Sequence, residues 1–154
     1  MRAIMENILQ IYLDTGNINW VDRFAKIQTR SLAQATKTVA EELENKETKP
    51  LLRLEDYTGL YRDKWFGDVD ITLIDGELYF TAQKSLKLQG SLSPIMFNTF
   101  KVSWTDRSFN ADAFAMFSTD FYGNVNGLKM KAISPLTDFS YDFHDLDFIK
   151  IIKN

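Results

Sequence analysis

The sequence predicts a mainly β fold with helices at its N-terminus: an antiparallel up-and-down β-barrel of about eight strands following a helical segment. Three observations point there. The apolar period changes from helical to alternating at Pro50. The dipeptide Asp75-Gly76 joins two alternating runs whose apolar faces match. Turn residues then recur at hairpin spacing to the end of the chain.

Before Pro50 the spacing is helical. Ile4, Ile8, Ile11 and Tyr12 form one stripe, and Asp14 to Asn17 interrupt it. Asn17 or Asn19 can cap a second helix, in which Val21, Phe24, Ile27, Leu32, Ala35 and Val39 make a slowly drifting stripe. The polar run from Glu41 to Lys49 closes that helix, and Pro50 marks its end. The expected division is residues 1–50 as helices and residues 51–154 as barrel.

After Pro50 side chains alternate. The stretch "YTGLYRDKWFGDV" opens the barrel: Tyr57 and Tyr61 are expected to start the first strand, with Gly59 permitting close backbone approach. Trp65, Phe66 and Gly67 make the corner into the second. There Val69, Ile71 and Leu73 alternate with polar neighbours up to Asp75-Gly76, a strong two-residue hairpin signal. That turn sets Leu73 opposite Leu78 and Ile71 opposite Phe80. Leu86, Leu88 and Leu92 share a face around Gly90, and Phe100, Val102 and Trp104 share the next. "FAMFS" and "VNGLKMKAI" flank "DFYGN", with Gly123 in the turn. Val125 joins the face of Leu128 and Met130 only if Gly127 absorbs an extra residue as a bulge. Phe139, Tyr141 and Phe143 are expected on one side of a closing strand.

Composition excludes several classes. The chain has 154 residues, a net charge of -3 and a pI near 5.2, so it carries no electrostatic footprint for nucleic acid or an anionic membrane. No apolar run approaches the roughly 20 residues of a spanning helix. With no cysteine, a disulfide scaffold and thiolate metal sites are excluded, and the compartment stays open. Residues 1–14 read as an amphipathic helix rather than a signal peptide, because Glu6 and Asn7 interrupt the apolar run and no small-residue cleavage site follows.

The search for catalytic groups comes back empty. His144 lies among Asp142, Asp145 and Asp147, but in a strand only Asp142 would share its face, so a solvated outer face outweighs a metal site. "YGN" (Tyr122 to Asn124) matches a Tyr-x-Asn element, yet no Ser-x-x-Lys motif or G-x-S-x-G elbow accompanies it. Asp68 and Asp70 alternate with core residues and read as the wet face of a strand. Neither cofactor nor metal is implied. What remains is an abundance of aromatics: Tyr57, Tyr61, Trp65, Phe66, Phe80, Phe97, Phe100, Trp104, Phe114, Phe117 and Phe143. A barrel of this size either fills with side chains or holds one small ligand. Filling is the commoner outcome. If a ligand enters, Tyr61, Trp65, Phe80 and Trp104 are the candidate binding residues.

Residues Leu54 to Phe148 resemble the C-terminal accessory domain of serine β-lactamase-like hydrolases, the class C, penicillin-binding-protein and CubicO-type relatives. The resemblance rests on an ordered pattern: Tyr57, Gly59 and Tyr61, then Trp65 and Phe66 before Gly67-Asp68, the Asp75-Gly76 hairpin, the Trp104 strand, and the Asp-Phe-rich segment Asp138 to Phe148. It implies a lipocalin-like barrel, non-catalytic in itself, packing beside the active site of a serine hydrolase domain and shaping substrate access. Residues 1–50 would then be the end of that catalytic domain plus a connector, in a periplasmic or extracytoplasmic protein. The hydrolase motifs themselves are absent here, so no catalytic role is carried onto any residue. The alternative is a free-standing module for a small hydrophobic or peptidic ligand. The apolar stripe of the first helix also leads to an expected homodimer through residues before Pro50.

Overall fold

Two helices, α1 (Arg2–Leu13) and α2 (Trp20–Leu43), precede the sheet in a computed structural model that describes residues 2–13, 18–43, 49–109, 111–134, 137 and 143–152. The chain divides into two units, Met1–Thr38 and Val39–Asn154. Asn19 caps α2: its Oδ1 accepts the Asp22 N–H at 3.2 Å, and its Nδ2 donates to the Asp22 carboxylate at 2.8 Å. Within α2 the Trp20 and Phe24 rings lie 6.1 Å apart, and the Arg23 guanidinium sits over Trp20. No helix among the described residues is long and apolar enough to cross a membrane. The expected break at Asp14 to Asn17 and part of the polar run, 44–48, lie outside the described residues.

In the second unit a one-turn helix, α3 (Leu54–Tyr57), leads into eight strands: β1 (Gly59–Asp63), β2 (Gly67–Ile74), β3 (Glu77–Ala82), β4 (Gln89–Met96), β5 (Thr99–Trp104), β6 (Ala113–Thr119), β7 (Val125–Ala132) and β8 (Asp147–Ile151). Each pairs antiparallel with the next, and β8 returns to β1, so the sheet closes and leaves no edge. The mainly β, eight-stranded antiparallel barrel is the fold that the alternation predicts.

The β2–β3 register is the one the turn dictates, with Leu73 opposite Leu78 and Ile71 opposite Phe80. Asp75 and Gly76 have φ of 51° and 86°, the left-handed pair of a type I′ hairpin. The β6–β7 ladder slips between Ser118 and Thr119, pairing Ser118 with Gly127 and Thr119 with Val125. That bulge puts Val125, Leu128 and Met130 all inside. Gly127 has to be small: an added Cβ would meet the Phe148 carbonyl oxygen at 2.9 Å.

Three expectations are corrected. Tyr57 does not start β1; it ends α3, where the Asp56 carboxylate accepts the Arg53 backbone N–H at 3.2 Å and its guanidinium at 3.1 Å. Leu86 does not share the inward face of Leu88 and Leu92, because β4 starts at Gln89 and Leu86 sits exposed in the preceding turn. Phe143 and His144 belong to a short 3-10 turn, Phe143–Asp145, and the closing strand begins after it at Asp147. Phe139 and Tyr141 lie outside the described residues.

Candidate functional site

The barrel interior is where the sequence placed any ligand. Alternation aims Tyr61 from β1, Phe80 from β3 and Trp104 from β5 inward, and all three are buried. Phe80 and Trp104 meet edge to face with centroids 5.2 Å apart, and Trp104 stacks on Phe143 at 6.0 Å. Tyr61 belongs to a second cluster. Its ring meets Phe117 at 5.7 Å, and Tyr57 meets Phe100 at 4.9 Å and Phe117 at 5.0 Å.

Buried phenols and indoles need partners, and these find them inside the protein. Trp104 Nε1–H donates to the Ala111 carbonyl at 2.7 Å. The Tyr61 hydroxyl donates to the Tyr57 carbonyl at 2.6 Å. The Tyr57 hydroxyl donates to Asn98 Oδ1 at 2.6 Å and accepts the Leu52 N–H at 3.3 Å. Burial drives the Tyr61 phenol well above the ordinary tyrosine range, with the neighbouring Tyr57 adding to it, and burial raises Tyr57 as well. These polar handles are engaged within the fold.

Lys150 crosses the same end of the barrel. Its Nζ lies 5.7 Å from the Tyr61 ring centroid and donates to the Asp56 carbonyl at 2.8 Å. Gly59, at φ +142°, leaves room for its stem: a Cβ there would stand 2.9 Å from Lys150 Cε. Burial lowers the Lys150 pKa, with Asp56 opposing the shift.

Trp65 stands apart from the other three. It is 95% exposed, on the turn between β1 and β2. That turn is fixed by a buried carboxylate: Asp63 Oδ1 accepts the N–H groups of Trp65 (2.7 Å) and Phe66 (2.8 Å), and Oδ2 accepts the Asp147 N–H of β8 (3.0 Å). Burial pushes the Asp63 carboxyl up, but the N–H bonds from Phe66, Asp147 and Trp65 outweigh it and hold the pKa below the usual range. Beside the turn, Arg62, Trp65, Leu146 and Ile149 line an outer groove of about 650 Å³. Arg62 grips Asp68 with two bonds, at 2.6 and 2.8 Å. Asp70 accepts the Gln83 amide at 2.8 Å. Both carboxylates belong to cross-strand pairs on the outer face.

Sequence reasoning passed over Asp63 and Lys150. The first had a local signal, an aspartate opening a tight turn before Gly67. The second had none, since its role depends on which strand closes the barrel.

His144 is mostly exposed, with Nε2 3.6 Å from the Asp145 carboxylate. Asp142 lies outside the described residues. Among the described residues no group of three His, Cys, Asp or Glu side chains could hold a metal. The Tyr122-Gly123-Asn124 element forms the β6–β7 turn, pinned by Asp120.

The profile of a family described as a domain of unknown function, DUF3471, matches residues 43–150, from the end of α2 through β8. The chain belongs to the DUF3471 family. Among solved structures, the C-terminal domain of penicillin-binding protein Rv0907 shares 19% identity with this DUF3471 domain, at a TM-score of 0.49 over 70% of this chain and 94% of that one. The likeness is distant, and no residue role is carried over from it. No curated protein matches the chain.

Proposed function

We propose that the DUF3471 barrel is a non-catalytic accessory domain of a serine β-lactamase-like hydrolase, packing near the active site and shaping which substrates reach it. The observation that carries this reading is the ordered sequence pattern, Tyr57-x-Gly59-x-Tyr61 through the Asp-Phe-rich closing segment. The structure gives a packing reason for several of its residues: the Tyr61 hydroxyl bonds the Tyr57 carbonyl, Gly59 admits Lys150, and the Trp104 indole bonds the Ala111 carbonyl in the core. The interior supports a structural role too. Its hydroxyl and indole donors are bonded to protein acceptors, so a ligand entering there would have to break those bonds and displace packed rings.

Residues 1–50 are then the end of the catalytic domain and its connector, and residues 51–154 the accessory barrel. The complete reading frame tests this directly. A Ser-x-x-Lys motif encoded upstream is expected, and a frame without one overturns the proposal. The chain alone should show no turnover of β-lactams, p-nitrophenyl esters or small peptides; hydrolysis abolished by changing one serine or His144 would also overturn it.

A further inference from the structure

The β6–β7 hairpin carries two aromatics at its tip that stand exposed among the described residues. Phe121 is 106% and Tyr122 90% exposed. They stand on a firmly organised turn. Asp120 Oδ1 accepts the N–H groups of Tyr122 (2.8 Å) and Asn124 (2.9 Å), Oδ2 accepts the Asn124 side-chain amide (3.1 Å), and the Asp120 N–H donates to the Asn124 carbonyl (2.9 Å). Gly123, at φ +85°, completes the reversal. The turn fixes the backbone that carries the two rings, so little backbone entropy is left to lose on binding, and covering the rings would take their apolar surface out of water, the profile of an interface anchor.

The same hairpin borders a receptacle, completed by β4, β5 and the Phe143–Asp145 turn. On the outer face of the barrel, Ile95, Met96, Phe114 and Met116 floor a groove of about 390 Å³, with Lys129 and Lys131 beside them. Thioethers adapt well to aromatic rings.

We propose that Phe121 and Tyr122 of one copy seat in this groove of a second copy, the two copies exchanging tip for groove across a two-fold axis. Charge selects this occupant: the tip brings the Asp120 carboxylate, and the groove brings Lys129 and Lys131. Lys129 is paired with Asp147 at 3.7 Å, but both side chains are well exposed, and such a pair is weakly held. Met116 lies on β6 and Phe121 five positions further on, in the turn just past the strand's end, so tip and groove belong to one hairpin. In the proposed assembly a two-fold axis between tip and groove makes both contacts at once and closes the pair as a dimer rather than a filament.

The test uses the full chain in sedimentation equilibrium over a wide concentration range. It compares the parent with a tip variant, Phe121→Ser/Tyr122→Ser, and with two groove variants, Met116→Lys and Lys131→Glu; matched thermal melts identify any variant that fails to fold. All of these positions are exposed, and Asp120 and Gly123 are left intact to keep the turn. The parent should dimerise, and the tip and Met116→Lys variants should each dimerise roughly 30-fold or more weakly, as loss of a hot-spot aromatic implies. Lys131→Glu should weaken the dimer less. An equimolar mixture of the tip variant with Met116→Lys should form heterodimers, because one intact tip then meets one intact groove. A parent that stays monomeric overturns the proposal and leaves these surfaces to another partner. Variants that dimerise like the parent overturn it too, and place the contact elsewhere, as through residues before Pro50. A mixture no stronger than either variant alone refutes the tip-for-groove exchange.

Discussion

Replacing Asp63 with alanine should destabilise the barrel more than any other single surface-adjacent change. The residue is only 7% exposed, and its carboxylate accepts three backbone N–H bonds, two within the β1–β2 turn and one from Asp147 of β8. It therefore ties that turn to the seam where the barrel closes. A hydrogen bond to a charged group contributes about 1.5–3 kcal/mol. Water can reach the Trp65 amide in its exposed turn, so the three bonds do not sum fully, and we expect a loss of about 2–4 kcal/mol for Asp63→Ala. Asp63→Asn should also destabilise, because its amide turns a donor toward the Asp147 or Trp65 N–H.

The charge adds a pH signature. The Asp63 pKa is depressed in the folded state against roughly 3.9 when unfolded, so its ionisation stabilises the fold above about pH 4 and that contribution disappears as pH falls through the folded value. Urea unfolding of the parent and Asp63→Ala at pH 7, followed down to acid pH, reads both effects. The gap between them should narrow below about pH 4. A difference under about 0.5 kcal/mol at pH 7, the range of ordinary surface changes, would refute the reasoning.

Other outcomes follow from the packing. Gly90→Ala puts a Cβ against the Ser103 carbonyl group, backbone that cannot rotate away, so the variant should melt well below the parent; an unchanged melting temperature would contradict this. Trp104→Phe keeps most of the ring volume but orphans the Ala111 carbonyl, with an expected cost of about 1–3 kcal/mol by chemical denaturation. Tyr61, with its phenol raised by burial, should ionise only after the exposed tyrosines in a spectroscopic alkaline titration. Stability from the neutral Tyr61 is fully present below about pH 10 and lost as pH rises toward the folded value; a Tyr61→Phe variant should lack that loss. An apolar dye or fatty acid at stoichiometric amounts should leave tryptophan emission and melting temperature unchanged if the interior is filled, whereas quenching that Trp104→Ala abolishes would favour a ligand cavity.

Much of the barrel could be read from the sequence because its instructions are local. Asp75-Gly76 sets a turn type, the turn type sets the register, and the register puts Ile71 opposite Phe80. Gly127 announces its bulge because three apolar residues cannot share a face without one. What could not be read depends on distant strands. Nothing near Leu86 says that β4 waits until Gln89, where pairing with β3 and β5 begins. Tyr57 has the alternation of a strand residue, yet Arg53 and Asp56 wind a helical turn under it, and its hydroxyl reaches Asn98, 41 positions away. Of the candidate ligand residues, Tyr61, Phe80 and Trp104 are inside as alternation requires, whereas Trp65 is outside because the Asp63 carboxylate holds its turn. Phe97 has the same history: it stands exposed at φ 51° in the β4–β5 turn, a conformation that apolar patterning cannot foresee.

The proposed accessory role is tested by removing residues 51–154 from a polypeptide in which they follow a serine hydrolase domain and measuring kcat/KM for a small and a bulky ester. The account predicts that the ratio between the two substrates shifts by about tenfold or more, about 1.4 kcal/mol of discrimination, while turnover of the small ester persists. An unchanged ratio with both activities intact would contradict it.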